Sequence, residues 1–286
     1  MFHKTYFTGG LLLELTAEEP ILDTVFFQPF LVNTDKKADV TIHVLRDRLP
    51  AVGGAESPQT NHRRAVRCGN TDYLFTTFSD SARMFVPYAC RIRRNGETSL
   101  IVDYNDRLWD AMLFEGLYVP DLLLERHTAV VHASFVGLPR EGILFAGPKQ
   151  QGKSTQAALW QKHMDAEIIN GDRAAVREEA DGFFAYGVPF CGSSRVCLNE
   201  KRRLRAVVFP EKADANEVVG LPPFEIFKRL IGCLSYTETD PVTQSSGIDA
   251  AERIAGRVPG FLLRCRPDED AVETLARALD LPWEKK

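Results

Sequence analysis

Residues 147–155 read Gly147-Pro148-Lys149-Gln150-Gln151-Gly152-Lys153-Ser154-Thr155, and they contain every fixed position of the phosphate-binding pattern G-x-x-x-x-G-K-[ST]. The apolar run at 142–146 predicts a buried strand before this segment, and the spacing of apolar residues at 153–163 predicts a helix after it. Strand, glycine-rich loop and helix is the order that the pattern requires. We therefore predict that residues 147–155 bind a nucleoside triphosphate, ATP or GTP.

Each fixed residue of this loop has a physical role. Gly147 and Gly152 permit a tight turn that brings backbone N–H groups inward, and the following helix adds the positive end of its dipole. Lys153 is expected to reach the β- and γ-phosphates, and Ser154 is expected to hold Mg²⁺. The alternative is a chance match, which becomes rarer once the flanking strand and helix are also required.

Composition excludes several classes of protein. The chain has 286 residues, enough to bury a full core, and its net charge of -4 gives no electrostatic footprint for nucleic acid or for an anionic membrane. No apolar run approaches transmembrane length. The six cysteines include no C-x-x-C pair, so neither a zinc ribbon nor a redox motif is indicated. We expect a cytoplasmic protein with reduced thiols, and the sequence permits a homo-oligomer.

The first part of the chain has the pattern of a β-rich domain. Short β-branched or aromatic runs predict strands at 11–15, 24–32, 40–45, 73–78 and 99–104, separated by turn-rich segments. We predict that residues 1–107 form a mostly antiparallel β-rich N-terminal module. Its histidines, His3, His43 and His62, are isolated, which favours structural or exposed positions over metal binding.

The second predicted domain, 108–286, alternates strands and helices. Helices are predicted at 108–125, with a break at Pro120, and at 153–163, 224–233 and 269–279. Strands are predicted at 128–136, 142–146, 166–170, 183–188, 195–199, 204–209 and 261–265. This alternation predicts a layered α/β core.

Two side chains outside the loop are candidates for the chemistry. His132 lies on the predicted strand that precedes the loop, and Asp172 follows the strand after its helix, where a magnesium ligand or a catalytic base is expected. The alternatives are a core histidine bonded to a backbone carbonyl and an ordinary turn aspartate after Gly171. The turn-rich residues 189–194 could contact a phosphoryl acceptor or form only a turn.

Four segments in this order resemble the catalytic domain of HPr kinase/phosphorylase: His132-Ala133-Ser134, Gly142-Ile143-Leu144-Phe145-Ala146-Gly147, Gly152-Lys153-Ser154-Thr155 and Ile168-Ile169-Asn170-Gly171-Asp172. In that family a histidine-bearing strand precedes the phosphate loop and an Asp-Asp pair follows its helix. Its fold is shared with the nucleotide domain of phosphoenolpyruvate carboxykinase. In this sequence Gly171 occupies the first acidic position, so either Asp172 serves both metal binding and proton transfer or the two tasks are divided differently.

The resemblance covers residues 110–275 and is to the broad group of HPr-kinase-like proteins, because the downstream signature of the HPr enzyme has no match in residues 187–199. It implies an α/β P-loop domain of the HPr kinase and phosphoenolpyruvate carboxykinase type, preceded here by the β-rich module. The leading interpretation is an ATP- or GTP-dependent, magnesium-requiring kinase that phosphorylates a hydroxyl on a protein, a peptide or a small molecule. His132, Asp172 and Lys153 are its predicted catalytic residues, and Ser154 and Asp172 its predicted metal ligands.

Two other interpretations remain open at this stage. A carboxykinase-like enzyme would use the same nucleotide site, but it would need more cationic and metal-binding residues than the sequence assigns. A non-catalytic nucleotide-dependent binding protein would keep the loop and would not need His132 or Asp172.

Overall fold

The computed structural model describes residues 1–52, 62–77, 85–238 and 240–283. The chain forms two compact units. The first comprises Met1–Leu122 and Tyr236–Gln244, and the second comprises Leu123–Ser235 and Ser245–Lys286. Among the described residues, no helix has both the length and the apolar character needed to cross a membrane.

The first unit is built on a β-sheet. Its strands are β1 (Phe2–Thr8), β2 (Leu11–Ala17), β3 (Ile21–Leu22), β4 (Val40–Arg46), β5 (Arg63–Cys68), β6 (Thr71–Thr77), β7 (Pro87–Arg94), β8 (Glu97–Val102) and β9 (Leu108–Trp109). Seven of them form one sheet in the order β1-β2-β4-β8-β7-β6-β5. The β2–β4 and β4–β8 pairs are parallel and the other neighbours are antiparallel. A mostly antiparallel sheet therefore occupies the region where one was predicted.

The predicted strand at 24–32 is wrong. Val25, Phe26 and Phe27 form a turn, and a short 3-10 helix follows at Gln28–Phe30. Phe27 and Phe30 are buried, so the apolar run fills the core through turns, and Pro29 lacks the N–H group that a sheet ladder would use. The strand predicted at 73–78 is present as β6, while its last residue, Phe78, lies outside the described residues.

The predicted helix at 108–125 is divided into α1 (Asp110–Leu117) and α2 (Val119–Leu124). The break lies at Tyr118, which has a left-handed φ of 47°, and not at Pro120. Proline is compatible with the first turn of a helix, and this explains why α2 begins before it. Because α1 packs on β6, β7 and β8, the first unit extends to Leu122, beyond the predicted boundary after residue 107.

A buried polar network ties residues 236–244 to the rest of the first unit. Arg91 pairs with Asp121 at 3.1 Å, and both side chains are almost fully buried. Asp121 also accepts hydrogen bonds from the backbone N–H of Thr237 at 2.9 Å and from its hydroxyl at 2.7 Å. A buried carboxylate is stable only when it is paired and hydrogen-bonded in this way.

The second unit is a mixed α/β structure. Its strands are β10 (Thr128–Gly137), β11 (Glu141–Ala146), β12 (Glu167–Asn170), β13 (Arg173–Glu179), β14 (Gly182–Gly187), β15 (Lys201–Lys212), β16 (Glu217–Leu221), β17 (Leu234–Ser235) and β18 (Gly260–Cys265). Its helices are α3 (Lys153–Met164), α4 (Pro223–Ile231), α5 (Pro241–Arg257), whose first residues belong to the first unit, and α6 (Glu269–Ala278).

The nine-stranded sheet of this unit positions the glycine-rich loop. Its main path is β11-β10-β13-β14-β15-β18-β16, and an additional β11–β15 pairing joins the first strand of this path to β15. β11, β15 and β18 are parallel neighbours. α3 and α6 cover them through a buried cluster that includes Phe145 and Trp160, whose rings lie 6.1 Å apart.

Several elements of the second unit differ from the predicted ones. Residues 195–199 are not a strand and make only an isolated bridge, between Cys197 and Asn170. The helix α5 and the strands β13, β16 and β17 were not predicted. In α5 the serine, threonine and glycine content hides the apolar periodicity, and in β13 charged residues follow the short apolar centre.

Candidate functional site

The glycine-rich loop connects β11 to α3 and adopts a backbone conformation that few residue types allow. Gly147 and Gly152 have φ values of 146° and 97°, and Gln150 has a φ of 69°. A β-carbon added to Gly147 would lie 2.8 Å from Oε1 of Gln151, so the side chain of Gln151 lies against the bare Cα of Gly147. Glycine is needed at both positions because positive φ values are unfavourable for other residues.

Lys153, the first residue of α3, is folded back onto this loop. Its ammonium group donates hydrogen bonds of 2.8 Å to the carbonyl oxygens of Gly147 and Pro148, and its side chain is buried. Burial lowers the pKa of Lys153 below its ordinary value, while the nearby Cys233 thiol and Asp172 carboxylate oppose that shift. A lysine ammonium has three donors, so one remains for an anion.

Ser154 and Thr155 follow at the start of α3, and both are exposed. Gly152 is the N-cap of the helix, and no side chain caps its first N–H groups. Unpaired N–H groups and the helix dipole together favour an anion at this end. The arrangement can therefore accept phosphate oxygens beside a free hydroxyl.

His132 reaches the same region from β10. Residues of β10 are buried except His132, which is half-buried. The register pairs Ala133 with Ala146, the last residue before the loop, so His132 lies alongside the start of the loop. The backbone N–H of His132 donates to the carbonyl of Cys233 at 2.7 Å.

Asp172 lies in the turn between β12 and β13, and Asn170 holds that turn. The Oδ1 atom of Asn170 accepts hydrogen bonds of 2.9 Å from the backbone N–H groups of Asp172 and Arg173. Its Nδ2 atom donates to the carbonyls of Val188 at 2.8 Å and Phe190 at 3.2 Å. Asn170 is fully buried, and all of these bonds fix the position from which the Asp172 side chain projects.

His132 and Asp172 are in contact. Their Nε2 and Oδ1 atoms lie 3.4 Å apart, and Nε of Arg173 lies 3.5 Å from Oδ2 of Asp172. The His132 imidazole lowers the pKa of the Asp172 carboxyl below its usual range, and the charges of Arg173 and Lys153 act in the same direction against the effect of burial. Asp172 is therefore ionised at neutral pH.

Residues 188–196 cover the turn that carries Asp172. A β-carbon on Gly192 would lie 2.7 Å from Cγ of Asp172, and one on Gly171 would lie 2.3 Å from Cβ of Ser194. The segment is also anchored to the turn itself, because Gly171 N–H donates to the carbonyl of Val196 at 3.3 Å. Residues 189–194, predicted either to contact an acceptor or to form only a turn, thus pack directly against the Asp172 carboxylate.

The donor set fits a magnesium ion that is held jointly with a nucleotide. Magnesium in such sites takes one or two carboxylates, phosphate oxygens and water. Ser154 offers an exposed hydroxyl, and Asp172 an ionised carboxylate that is about 30% exposed. Within the described parts of the chain, no three or more His, Cys, Asp or Glu residues cluster to hold a metal by themselves.

The structure thus brings the predicted residues of the loop, Lys153, His132 and Asp172 into one region of the second unit. Two contributors were missed. Asn170 was identified only as the end of a strand, although an asparagine immediately before Gly-Asp is a typical turn-fixing residue. Cys233 contacts the backbone at Gly147 through its thiol, and no local sequence signal indicates this.

Comparisons with solved structures give distant likenesses. No protein-family profile matches this sequence, and no curated protein does. The solved structure of the Hpr(Ser) kinase/phosphatase from Coxiella burnetii is similar over 52% of this chain and 94% of that chain, with 14% sequence identity and a TM-score of 0.31. A relationship this distant does not identify an activity.

Proposed function

We propose that this chain is an ATP-dependent, magnesium-requiring kinase that transfers the γ-phosphoryl group to a hydroxyl on a protein, a peptide or a small molecule. The observation that carries the proposal is the contact between His132 and Asp172, 3.4 Å apart, next to the strand that enters the glycine-rich loop. Binding a nucleotide requires only the loop, whereas transfer to a hydroxyl also needs a group that takes the hydroxyl proton.

The loop and Lys153 bind the triphosphate in this proposal. Inward N–H groups at the start of α3 contact the phosphate oxygens, and Lys153 exchanges one or both of its bonds to the carbonyls of Gly147 and Pro148 for the β- and γ-phosphates. Because the ammonium is already buried beside the loop, it needs no large movement to reach them. These groups stabilise the charge that develops on the transferred phosphoryl group.

Ser154 and Asp172 are the residues proposed to hold magnesium. An ion held by these two residues would supply positive charge that neutralises the phosphates. The lowered pKa of Asp172 keeps its carboxylate ionised and available as a ligand.

The His132–Asp172 pair is proposed to take the proton in the transfer step. The acceptor oxygen forms a bond to the γ-phosphorus, the bond from that phosphorus to the ADP oxygen breaks, and the hydroxyl proton passes to the pair. An imidazole titrates near neutral pH, and an ionised carboxylate beside it stabilises the imidazolium form. Because the two groups are coupled, the pair is treated as one proton acceptor.

The test separates transfer from binding. ATP labelled at the γ-phosphate is incubated with a cell extract as the source of acceptors, and background ATP hydrolysis is measured with the purified protein. We expect His132→Ala and Asp172→Asn to lower turnover by about 10²- to 10⁴-fold, because each removes part of the proton acceptor. Lys153→Ala should instead weaken nucleotide binding measured by calorimetry.

Matched controls are available at exposed positions. His3→Ala and Asp181→Asn remove the same chemical groups from side chains that are 56% and 68% exposed, and both should behave like the parent. Unchanged turnover in both His132→Ala and Asp172→Asn would contradict the proposed mechanism. Nucleotide binding without any transfer or hydrolysis in the parent would indicate a non-catalytic nucleotide-binding protein.

A further inference from the structure

Arg173 places a guanidinium group beside the His132–Asp172 pair. Its backbone is fixed, because its N–H group donates to Oδ1 of Asn170 at 2.9 Å and its Cα atom lies opposite that of His132 in the β10–β13 register. Its Nε atom lies 3.5 Å from Oδ2 of Asp172, and its Cζ atom lies 5.9 Å from the ring centroid of Phe190. The guanidinium is therefore held next to the two groups that are proposed to take the acceptor's proton.

The outer edge of this guanidinium is free. Neither Nη atom of Arg173 has a hydrogen bond or an ion pair with another residue that the structure describes, and neither is shut off from solvent. Several arginines elsewhere in the second unit direct an Nη atom at a carboxylate, namely Arg202, Arg205, Arg229 and Arg264. In Arg173 the Nε atom faces the carboxylate instead, so the fork of its two Nη atoms remains for a further partner.

A second arginine lies in the segment that covers the turn of Asp172. Arg195 is exposed, has a left-handed φ of 55°, and makes no hydrogen bond or ion pair with another described residue. The residues on either side of it, Ser194 and Val196, both contact Gly171. Residues 170–173 and 188–196 together carry two positive charges and one negative charge, those of Arg173, Arg195 and Asp172. This charge favours an anion beside the pair.

The position of the fork assigns this anion to the phosphoryl acceptor. In the proposed mechanism the acceptor oxygen gives its proton to the His132–Asp172 pair, so it must lie within hydrogen-bond distance of the pair. The Nε and Nη atoms of Arg173 belong to one rigid plane, and Nε already faces Asp172. The fork is therefore next to the reacting hydroxyl as well, whereas Lys153 and the loop are the proposed donors to the triphosphate.

We propose that Arg173 binds a carboxylate or phosphate group of the acceptor, so that the acceptor is a hydroxyl compound or residue with an anion close to its hydroxyl. The inference rests on the proposed kinase function and adds the chemical class of its acceptor. A planar fork holds such a group through two parallel hydrogen bonds, which orients the hydroxyl, whereas a lysine offers only a point charge. Arg195 adds positive charge at the same position.

The first experiment tests the acceptors of the cell extract with the unmodified protein. One portion of extract is treated with a carbodiimide and ethanolamine, which converts carboxylates into neutral amides. A second portion is treated with immobilised alkaline phosphatase, which removes phosphate groups and is then withdrawn, and a third is left untreated. With ATP labelled at the γ-phosphate, we expect about tenfold less transfer to one of the treated portions, and the affected portion identifies the anion as a carboxylate or a phosphate.

The second experiment repeats the series with Arg173→Gln, which lacks the fork. Its transfer to untreated extract should be about tenfold below that of the parent, and treatment of the extract should cause no further loss. Its transfer should also fall about tenfold more than its background ATP hydrolysis, because water carries no anion. Arg173→Lys should restore part of the transfer. Arg203→Gln makes the same change at a side chain that is 52% exposed and should behave like the parent.

The outcomes distinguish this inference from the proposed function. Transfer by the parent that is insensitive to both treatments would overturn the anionic acceptor and leave the kinase intact. A loss on treatment that folded Arg173→Gln shares in full would show damage to the acceptor and would also overturn it. Absence of transfer to any portion would contradict both proposals. A thermal melt establishes that each variant is folded, and the extract series on the parent stands even if Arg173→Gln is not.

Two further readings separate acceptor binding from other roles of Arg173. Equal losses of transfer and of hydrolysis in Arg173→Gln would make Arg173 a positioning partner of Asp172, which would overturn the inference. Calorimetry compares the magnesium complexes of ATP and ADP, which differ by the γ-phosphate. A preference for ATP that is present in the parent and lost in Arg173→Gln would place the fork on the γ-phosphate and would overturn the inference as well.

Discussion

Substitution of Gly171 by alanine tests how tightly the turn of Asp172 is packed. The backbone of Gly171 is not in the left-handed region, so alanine is compatible with its conformation. The added β-carbon, however, would lie 2.3 Å from Cβ and 2.4 Å from Oγ of Ser194. Ser194 cannot simply rotate away, because its Cβ is one of the two atoms in conflict and its hydroxyl donates to the carbonyl of Cys191 at 2.5 Å.

The magnitude follows from this geometry. Carbon atoms pack at about 3.5 Å or more, so Ser194 must move by about 3.5 − 2.3 = 1.2 Å. Overpacking of this kind is destabilising by about 1–3 kcal/mol. Replacing glycine by alanine also restricts the unfolded chain, which raises the free energy of unfolding by about 0.4–1 kcal/mol. Taking the middle of each range, the expected loss in free energy of unfolding is about 2 − 0.7 = 1.3 kcal/mol for Gly171→Ala.

Urea denaturation measures this loss. In a Trp109→Phe background, tryptophan fluorescence reports on the second unit, because the remaining tryptophans, Trp160 and Trp283, belong to it. Adding Ser194→Gly removes both conflicting side-chain atoms and should restore most of the lost stability, so the two sites couple in a double-mutant cycle.

Gly256→Ala is the matched control for the same substitution. It lies in α5 of the second unit, and a β-carbon there would meet nothing within 4 Å. This variant should be more stable than the parent by about 0.5–1 kcal/mol, because alanine favours a helix. Gly171→Ala with unchanged stability, or a loss that persists after Ser194→Gly, would refute the packing account.

Two further predictions concern the same turn. Asn170→Asp should lower the free energy of unfolding by about 2–4 kcal/mol in the same urea assay, because it places a carboxylate oxygen against the carbonyls of Val188 and Phe190; an unchanged midpoint would be inconsistent with the hydrogen bonds described. The folded-state pKa of Asp172 lies below its unfolded value, so its contacts stabilise the protein above about pH 4 and are lost as the pH falls through the folded pKa. The stability difference between parent and Asp172→Asn should therefore narrow below about pH 4, and a difference that grows there would contradict the assignment.

The parts of the fold that sequence predicted well are those where a local pattern has one physical solution. The apolar run of β11 leads into Gly147 and Gly152, whose positive φ values form a tight turn, and α3 begins at Lys153, directly after the second of these glycines. In β10 the apolar run is interrupted by the ionisable His132, and this residue is also the one half-buried position of the strand. Pattern and burial agree in these elements because both follow from a strand covered on its two faces.

The elements that sequence missed depend on partners distant in the chain. Residues 24–32 have strand-like composition, yet Phe27 and Phe30 contact a core built by other strands, and the backbone between them turns. The strand β13 is defined by its neighbours β10 and β14 on either side more than by its own residues. Pairing with strands that are distant in the chain overrides the local β-propensity of a segment. A pattern within the segment's own sequence therefore does not reveal such a strand.

The structure explains why this turn carries one carboxylate, that of Asp172, where the family resemblance implies two. The resemblance implies an acidic pair, and Gly171 stands at its first position. In the structure the bare Cα of Gly171 and the backbone of Gly192 allow residues 188–196 to lie directly on Asp172. A second carboxylate at 171 would occupy the place of Ser194 and separate that segment from the turn. Close cover on Asp172 and an acidic residue at 171 are therefore mutually exclusive in this arrangement. In the proposed mechanism His132, from the neighbouring strand, completes the proton acceptor in place of a second carboxylate.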